Sequence, residues 1–395
     1  MLSSIRILDL TWVLGGPFAS QALAELGAQI IKVESPDGDQ SRAYPPYYFE
    51  GDSAFFLSIN RGKKSVVINM KSAPGREVFY DLVRKCDVVM YGFAPDVPAR
   101  LGIDFATLEK INPRIVVGQL IGLHDEPPYA TRPSFDTIAQ ALSGIMSITG
   151  EPNGKPNRVG YQVADLAAGL YLANGILAGV IHALKTGNGK KIQVSLLDCQ
   201  LAMLTWQAQN YFVSGDIPRA TGTRHATLAP SEAFRCADEK YIAISASTEQ
   251  FWQPLCKAVD APELAADPRF TTGELRIKNV DALAQQLAKL FSRFTASDAV
   301  SRLEQARVPV GAVNNVADAL AQPLAQLRHM VQSLPHPVSG VMLNFLGNPF
   351  KYDGAAPLDY PPKLGAHTAE ILTQLCGYDA STLQNLHSQG AITLG

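Results

Sequence analysis

Ile5-Arg6-Ile7-Leu8-Asp9-Leu10, then the turn Gly15-Gly16-Pro17, then Phe18 to Leu26 closed by Gly27, then Ile30-Ile31-Lys32-Val33-Glu34: this opening decides the fold. The two short apolar runs have the length and composition of buried strands. Pro17 suits a first helical turn, and Gly27 suits a helix stop. The pattern then recurs, with strands predicted at Ser65–Asn69, Asp87–Tyr91, Ile115–Leu120 and Lys191–Ser195, and helices at Gly75–Lys85 and Phe105–Ile111. Strands that are apolar throughout and alternate with helices imply a parallel sheet covered on both faces, an α/β fold.

Single long helices are predicted at Asp136–Ile148, Asp165–Lys185 and Leu196–Val213. The second is apolar enough to resemble a membrane span, but Asn174, His182 and three glycines make a buried helix the better reading. Gly175 and Gly179 suggest tight packing against a neighbour. A polar connector at Gly215–Ala229 leads into a smaller unit with a strand at Tyr241–Ile244, helices at Thr248–Val259, Val280–Phe294 and Ser297–Ala306, and another short extended piece after Val308-Pro309-Val310. After about Pro335 the chain reads as turns, then helices near His367–Cys376 and Ser381–Ser388. The domains expected are 1–215, 216–330 and 331–395, the last returning to the first.

Composition narrows the partners. The 395 residues carry 34 basic and 36 acidic side chains, a net charge of −2, without the basic excess of a nucleic-acid binder. No nucleic acid and no membrane is expected, and small molecules and protein chains remain. Five scattered cysteines with no CxxC fit reduced thiols in a cytoplasmic protein. The seven histidines show no metal-ligand spacing, so no metal is expected. Gly15-Gly16-Pro17 is not a G-x-G-x-x-G run, and Pro17 lacks an amide that a pyrophosphate would use, which argues against a nicotinamide cofactor. The basic run Arg61-Gly62-Lys63-Lys64, with Lys71 and Arg100, reads either as phosphate-binding cations or as solvated surface charge.

Asp165 has two readings. It opens an unusually apolar helix, where an aspartate ordinarily caps free backbone amides. The same amides favour anions and developing oxyanions, and the small residues Ala167, Ala168 and Gly169 leave space beside the carboxylate.

Leu8-Asp9-Leu10-Thr11 through Gly16-Pro17-Phe18, Asn60-Arg61-Gly62-Lys63-Lys64-Ser65, Arg100-Leu101-Gly102, Phe135 to Gly144, Arg158-Val159-Gly160 before Asp165, Asp267-Pro268-Arg269-Phe270 and Leu364-Gly365-Ala366-His367-Thr368 occur together and in order. In this the sequence resembles the class III CoA-transferases along nearly its whole length. The resemblance implies a Rossmann-like large domain with a smaller α+β domain in an interlocked homodimer. It implies coenzyme A thioesters as substrates, with no tightly bound cofactor, and transfer of coenzyme A to a small, dicarboxylic acid. It implies Asp165 as nucleophile, contacts to the coenzyme from Val13, Leu14, Gly15, Lys71, Phe93 and Arg100, and Asp136 near the thioester. Arg42, Arg132 and Arg224 are candidates to hold a second carboxylate. An α-methylacyl-CoA racemase on the same fold is the alternative. Racemases place a histidine before the aspartate that matches Asp136, and Phe135 stands there instead. A silent acyl-CoA-binding scaffold is the third reading.

Overall fold

The computed structural model describes residues 1–355 and 358–395. They form two compact units, Met1–Ile145 with Arg158–Gly215 and Gln326–Gly395, and Met146–Asn157 with Asp216–Ala325. The expected unbroken stretch 1–215 is thereby corrected. Met146–Asn157 belongs to the second unit, where Gly222 donates its N–H to the Gly150 carbonyl at 2.9 Å.

The first unit is built on a seven-stranded sheet. Across it the strands run Ile392–Thr393, Lys63–Ile68, Gln29–Glu34, Arg6–Leu10, Val88–Tyr91, Val116–Ile121, Lys190–Ser195. All neighbours are parallel except the edge strand Ile392–Thr393. Taken in chain order the parallel strands stand 3-2-1-4-5-6, the doubly wound arrangement. Successive residues feed opposite faces, because side chains alternate along a strand. Leu8, Ile31, Val89 and Val117 pack with Phe79, Leu82, Ile371 and Leu372 on one side. Ile7, Ile30, Val88 and Val116 pack with Leu23, Leu172, Ile176 and Val180 on the other. That two-sided burial is why these strands read as continuous apolar runs.

The helix Val163–Thr186 is long and apolar enough to cross a membrane by length and composition. Here one face of it, including Ala168, Leu172, Ile176 and Val180, is buried against the sheet and the helix Gly15–Glu25. Gly175 and Gly179 face the side chains of Ile192 and Val116 rather than a neighbouring backbone.

Two predicted long helices are each broken. Asp136–Leu142 is separated from Ile145–Ile148 by Gly144 at φ +87°, and Leu196–Met203 from Trp206–Ser214 by Thr205 at φ +44°. A left-handed residue cannot continue a right-handed helix. The hairpin Val331–Pro335 with Met342–Leu346 and the strand Ser231–Arg235 are additions to the predicted elements.

The second unit carries a three-stranded antiparallel sheet, in the order Val310–Ala312, Tyr241–Ser245, Ser231–Arg235. Ile242 and Ile244 point inward between exposed neighbours. They meet Trp252, Phe270, Leu287, Phe291 and Leu303 from the surrounding helices.

Candidate active site

In a doubly wound sheet the ligand crevice lies beyond the carboxyl ends of the strands, where the strand order reverses. Here that point falls between Arg6–Leu10 and Val88–Tyr91. The loops that leave these strands carry Trp12, Val13 and Leu14 on one side and Gly92 and Phe93 on the other. The Trp12 indole N–H donates to the Gly92 carbonyl across the gap at 3.4 Å, and the Phe93 ring stacks on Tyr91. Lys71 follows the end of the strand Lys63–Ile68 and is exposed. Arg100 sits exposed on the short helix Val97–Leu101, 3.3 Å from Asp96.

The turn after the first strand is under strain. Val13 adopts φ +64°, a conformation that costs a β-branched residue about 1–3 kcal/mol. Its N–H donates to Asp39 Oδ1 at 3.2 Å. Leu14 is buried, and the helix Gly15–Glu25 begins immediately after it.

Gly15 brings that turn against Asp165. A Cβ at Gly15 would lie 3.2 Å from both Asp165 Oδ1 and the Asp165 carbonyl, and 2.9 Å from Leu120 Cδ2. One turn along, a Cβ at Gly169 would lie 2.6 Å from the Gly15 carbonyl. The two helices therefore meet backbone to backbone, and the Asp165 carboxylate lies beside the glycine turn.

Asp165 itself is not a cap. The helix starts at Val163 with Gln162 at the N-cap, so Asp165 stands in the first turn. Among the described residues its carboxylate accepts no hydrogen bond. Burial, reinforced by the negative charge of Asp136, pushes its pKa up to about 7, above the ordinary carboxylate range.

The capping is done by Asp136. It opens the helix Asp136–Leu142 and is only 5% exposed. Oδ1 accepts from the Ala164 N–H at 2.9 Å and Oδ2 accepts from Gln140 Nε2 at 2.7 Å. Gln140 Oε1 accepts from the Val159 N–H at 2.9 Å, and Gln200 Nε2 donates to the Val163 carbonyl at 3.3 Å. Asp136, expected beside a thioester, thus has its carboxylate engaged in fixing the start of the Asp165 helix. With Ala164 taken and the Val163 N–H donating to the Tyr161 carbonyl at 2.9 Å, two amides of that helix start are already spent.

The basic run is likewise committed. Arg61 pairs with Glu25, Lys63 with Asp9 and Lys64 with Glu370. Among the candidates for a second carboxylate, Arg42 holds both oxygens of Glu34 at 2.8 Å. Arg224 belongs to the second unit and pairs with Asp281 and Glu232. Arg132 is exposed and forms no ion pair among the described residues.

Sequence reasoning missed the buried charges below the turn. Asp9 accepts from Thr11 and Ser20, and Lys63 Nζ reaches Asp9 at 3.2 Å. Lys32 Nζ lies 2.8 Å from Asp39. The available signal was a charge inside each of two apolar strands, since the register sets Asp9 opposite Lys32.

A doubly wound sheet, a glycine turn at its switch point and an unbonded carboxylate beside that turn agree with what comparison with known proteins returns. The family model described as CoA-transferase family III matches residues 2–368. The chain is 35% identical to the succinyl-CoA:glutarate CoA-transferase of Homo sapiens, covering 99% of this chain and 90% of that one. It is 38% identical to the acetyl-CoA:oxalate CoA-transferase of Acetobacter aceti, covering 95% and 96%. A crystal structure of a CAIB/BAIF family protein from Brucella suis superposes with a TM-score of 0.83 at 34% identity, covering 94% of this chain and 98% of that one. Matches of this extent leave one assignment: the chain belongs to CoA-transferase family III.

Proposed function

We propose that this protein moves coenzyme A from an acyl-CoA donor to a small dicarboxylic acid, with Asp165 carrying the covalent intermediates. The carrying observation is the Asp165 carboxylate, free of hydrogen bonds among the described residues and held beside Gly15. The relatives named for glutarate and oxalate transfer support the dicarboxylate.

An Asp165 oxygen attacks the thioester carbonyl, giving an aspartyl–acyl anhydride and the coenzyme A thiolate. The thiolate attacks the aspartyl carbonyl, forming an aspartyl-CoA thioester and releasing the donor carboxylate. The acceptor carboxylate then attacks that thioester, and the thiolate returns to the acceptor carbonyl, regenerating Asp165. Each step exchanges one activated acyl group for another, so no external energy source is required. The N–H groups of Gly15 and Gly16, at the start of the neighbouring helix, are our assigned oxyanion donors, each worth roughly 3–4 kcal/mol.

Ionisation of Asp165 limits the reaction at low pH. Because only the carboxylate attacks, kcat/KM for the acyl-CoA should fall about tenfold per pH unit below about 7 and level off above it. Asp136→Asn removes the lesser of the two causes of the raised pKa. It should move the acid limb to lower pH, though not all the way to the ordinary carboxylate value. A pH–rate profile flat across that region in wild type would contradict the assignment.

Arg132 is our choice for the second carboxylate, since Arg42 and Arg224 are paired elsewhere. Arg132→Gln should raise KM for a dicarboxylate acceptor roughly tenfold and leave a monocarboxylate of the same length unchanged. Equal effects on both acids would remove Arg132 from this role.

We further propose a homodimer in which the second chain completes each active site. In the first unit, Leu170, Tyr171, Leu201, Tyr211, Phe212 and Val213 are exposed, large apolar side chains that a second chain would cover. Light scattering should give twice the chain mass of 42.6 kDa, and an active monomer would refute the proposal.

A further inference from the structure

Asp9, Lys32, Glu34, Asp39, Arg42 and Lys63 form a buried ionic network of three carboxylates and three cations. Burial alone would raise the pKa of Asp9, but Lys63 and Lys32 beside it hold it below the ordinary carboxylate range. Burial likewise works against Lys32, and Asp39 with Asp9 and Glu34 outweighs it. Such networks are poor stability devices, because each ion loses its water and apolar packing often serves as well.

What this one grips is backbone. Lys32 Nζ donates to the Thr11 carbonyl at 2.9 Å. Asp39 Oδ1 accepts the Val13 N–H at 3.2 Å. Lys63 Nζ donates to the Pro17 carbonyl at 3.0 Å. These three contacts bracket the turn Trp12–Gly16 and include its one strained residue, Val13. Asp39 is itself fixed by the N–H and hydroxyl of Ser41 at 2.9 and 2.8 Å and by Lys32 at 2.8 Å. Strain of this kind persists only where the surroundings over-determine it.

We propose that Asp39, braced by Lys32, is a positioning residue for the transfer reaction: it holds Val13 in its left-handed conformation and so sets the turn Trp12–Gly16 against Asp165. This rests on reading that turn as a contact for the acyl-CoA. Asp39 acts through Val13 and touches no reacting atom.

The test uses the full-length enzyme and steady-state kinetics in both substrates. Asp39→Ala combined with Lys32→Met removes the grip without leaving a buried cation unpaired. It should raise KM for the acyl-CoA roughly tenfold or more, while KM for the acceptor acid stays within about twofold. Asp39→Asn retains an acceptor for the Val13 N–H and should recover most of the loss. Should the double variant fail to fold, Val13→Gly disturbs no charge and relaxes the same turn. It should show the same split between the two KM values in a protein that melts no lower than wild type. Hydrogen exchange should quicken in the peptide spanning residues 11–17 of each variant and stay unchanged in the helix Val163–Thr186. An unchanged acyl-CoA KM in folded variants, or an equal rise for both substrates, overturns the proposal. Asp165→Asn is assayed alongside. If it turns over normally, the underlying reading fails. If it is inactive while the Asp39 and Val13 variants behave as wild type, only the positioning role fails.

Discussion

Asp165→Asn should abolish transfer and at the same time stabilise the protein. Replacing the nucleophile with an amide of the same shape removes the only group assigned to carry the acyl chain. Turnover should fall by roughly 10⁴-fold or more, the scale seen when a covalent nucleophile is deleted. The gain in stability follows from the raised pKa. In the unfolded chain Asp165 ionises near 3.8, whereas in the fold burial and Asp136 delay ionisation to about 7. Between these values the native state holds a proton that the unfolded state has lost, so wild-type stability declines as pH rises through this window. The full penalty is present above about 7 and absent well below 4. At alkaline pH the asparagine variant should therefore resist urea better by about 2 kcal/mol, a figure reduced from the full shift for the solvent that still reaches the group. The two proteins should converge at acid pH. A role as helix cap predicts the opposite sign, since a capping aspartate loses stability on replacement.

Gly169→Ala should cost roughly 10²-fold in kcat while leaving the fold intact. The new methyl would lie 2.6 Å from the Gly15 carbonyl and 3.0 Å from a Phe18 ring carbon. The carbonyl is backbone and cannot rotate away, so the helix and the turn must separate by a few tenths of an ångström or more. That displacement moves Gly15 off Asp165. Misplacement on the ångström scale is enough for a loss of this order when catalysis depends on alignment. Gly175→Ala lies on the same helix, where the three atoms nearest the added methyl all belong to the Ile192 side chain, which can shift. It should leave kcat near wild type, and circular dichroism with kinetics on the pair checks both expectations.

The sheet was legible because each strand is an apolar run that must face helices on two sides. The start of the Asp165 helix was legible from its apolar length and its small residues. Other features depend on contacts that no local pattern carries. Asp136 caps a helix 28 positions further along the chain. Lys63 looked like part of a basic surface run, yet the strand Lys63–Ile68 turns it inward to Asp9. Asp9 and Lys32 interrupt strands that are otherwise apolar, and their opposition became visible only with the register. The breaks at Gly144 and Thr205 reflect single left-handed residues inside stretches whose composition favours a continuous helix. Ile392–Thr393 closes the sheet beside Lys63–Ile68 with only two residues, too few to show a period.

Trapping the covalent intermediate tests the central claim most directly. Wild-type enzyme is incubated with the acyl-CoA donor without acceptor, quenched with hydroxylamine, digested and examined by peptide mass. Hydroxylamine attacks the aspartyl carbonyl of the thioester and releases coenzyme A, leaving a hydroxamate. The predicted result is a hydroxamate on Asp165, dependent on acyl-CoA and absent from Asp165→Asn. A hydroxamate mapped to another carboxylate, or transfer that continues in Asp165→Asn with no adduct on that peptide, would contradict it.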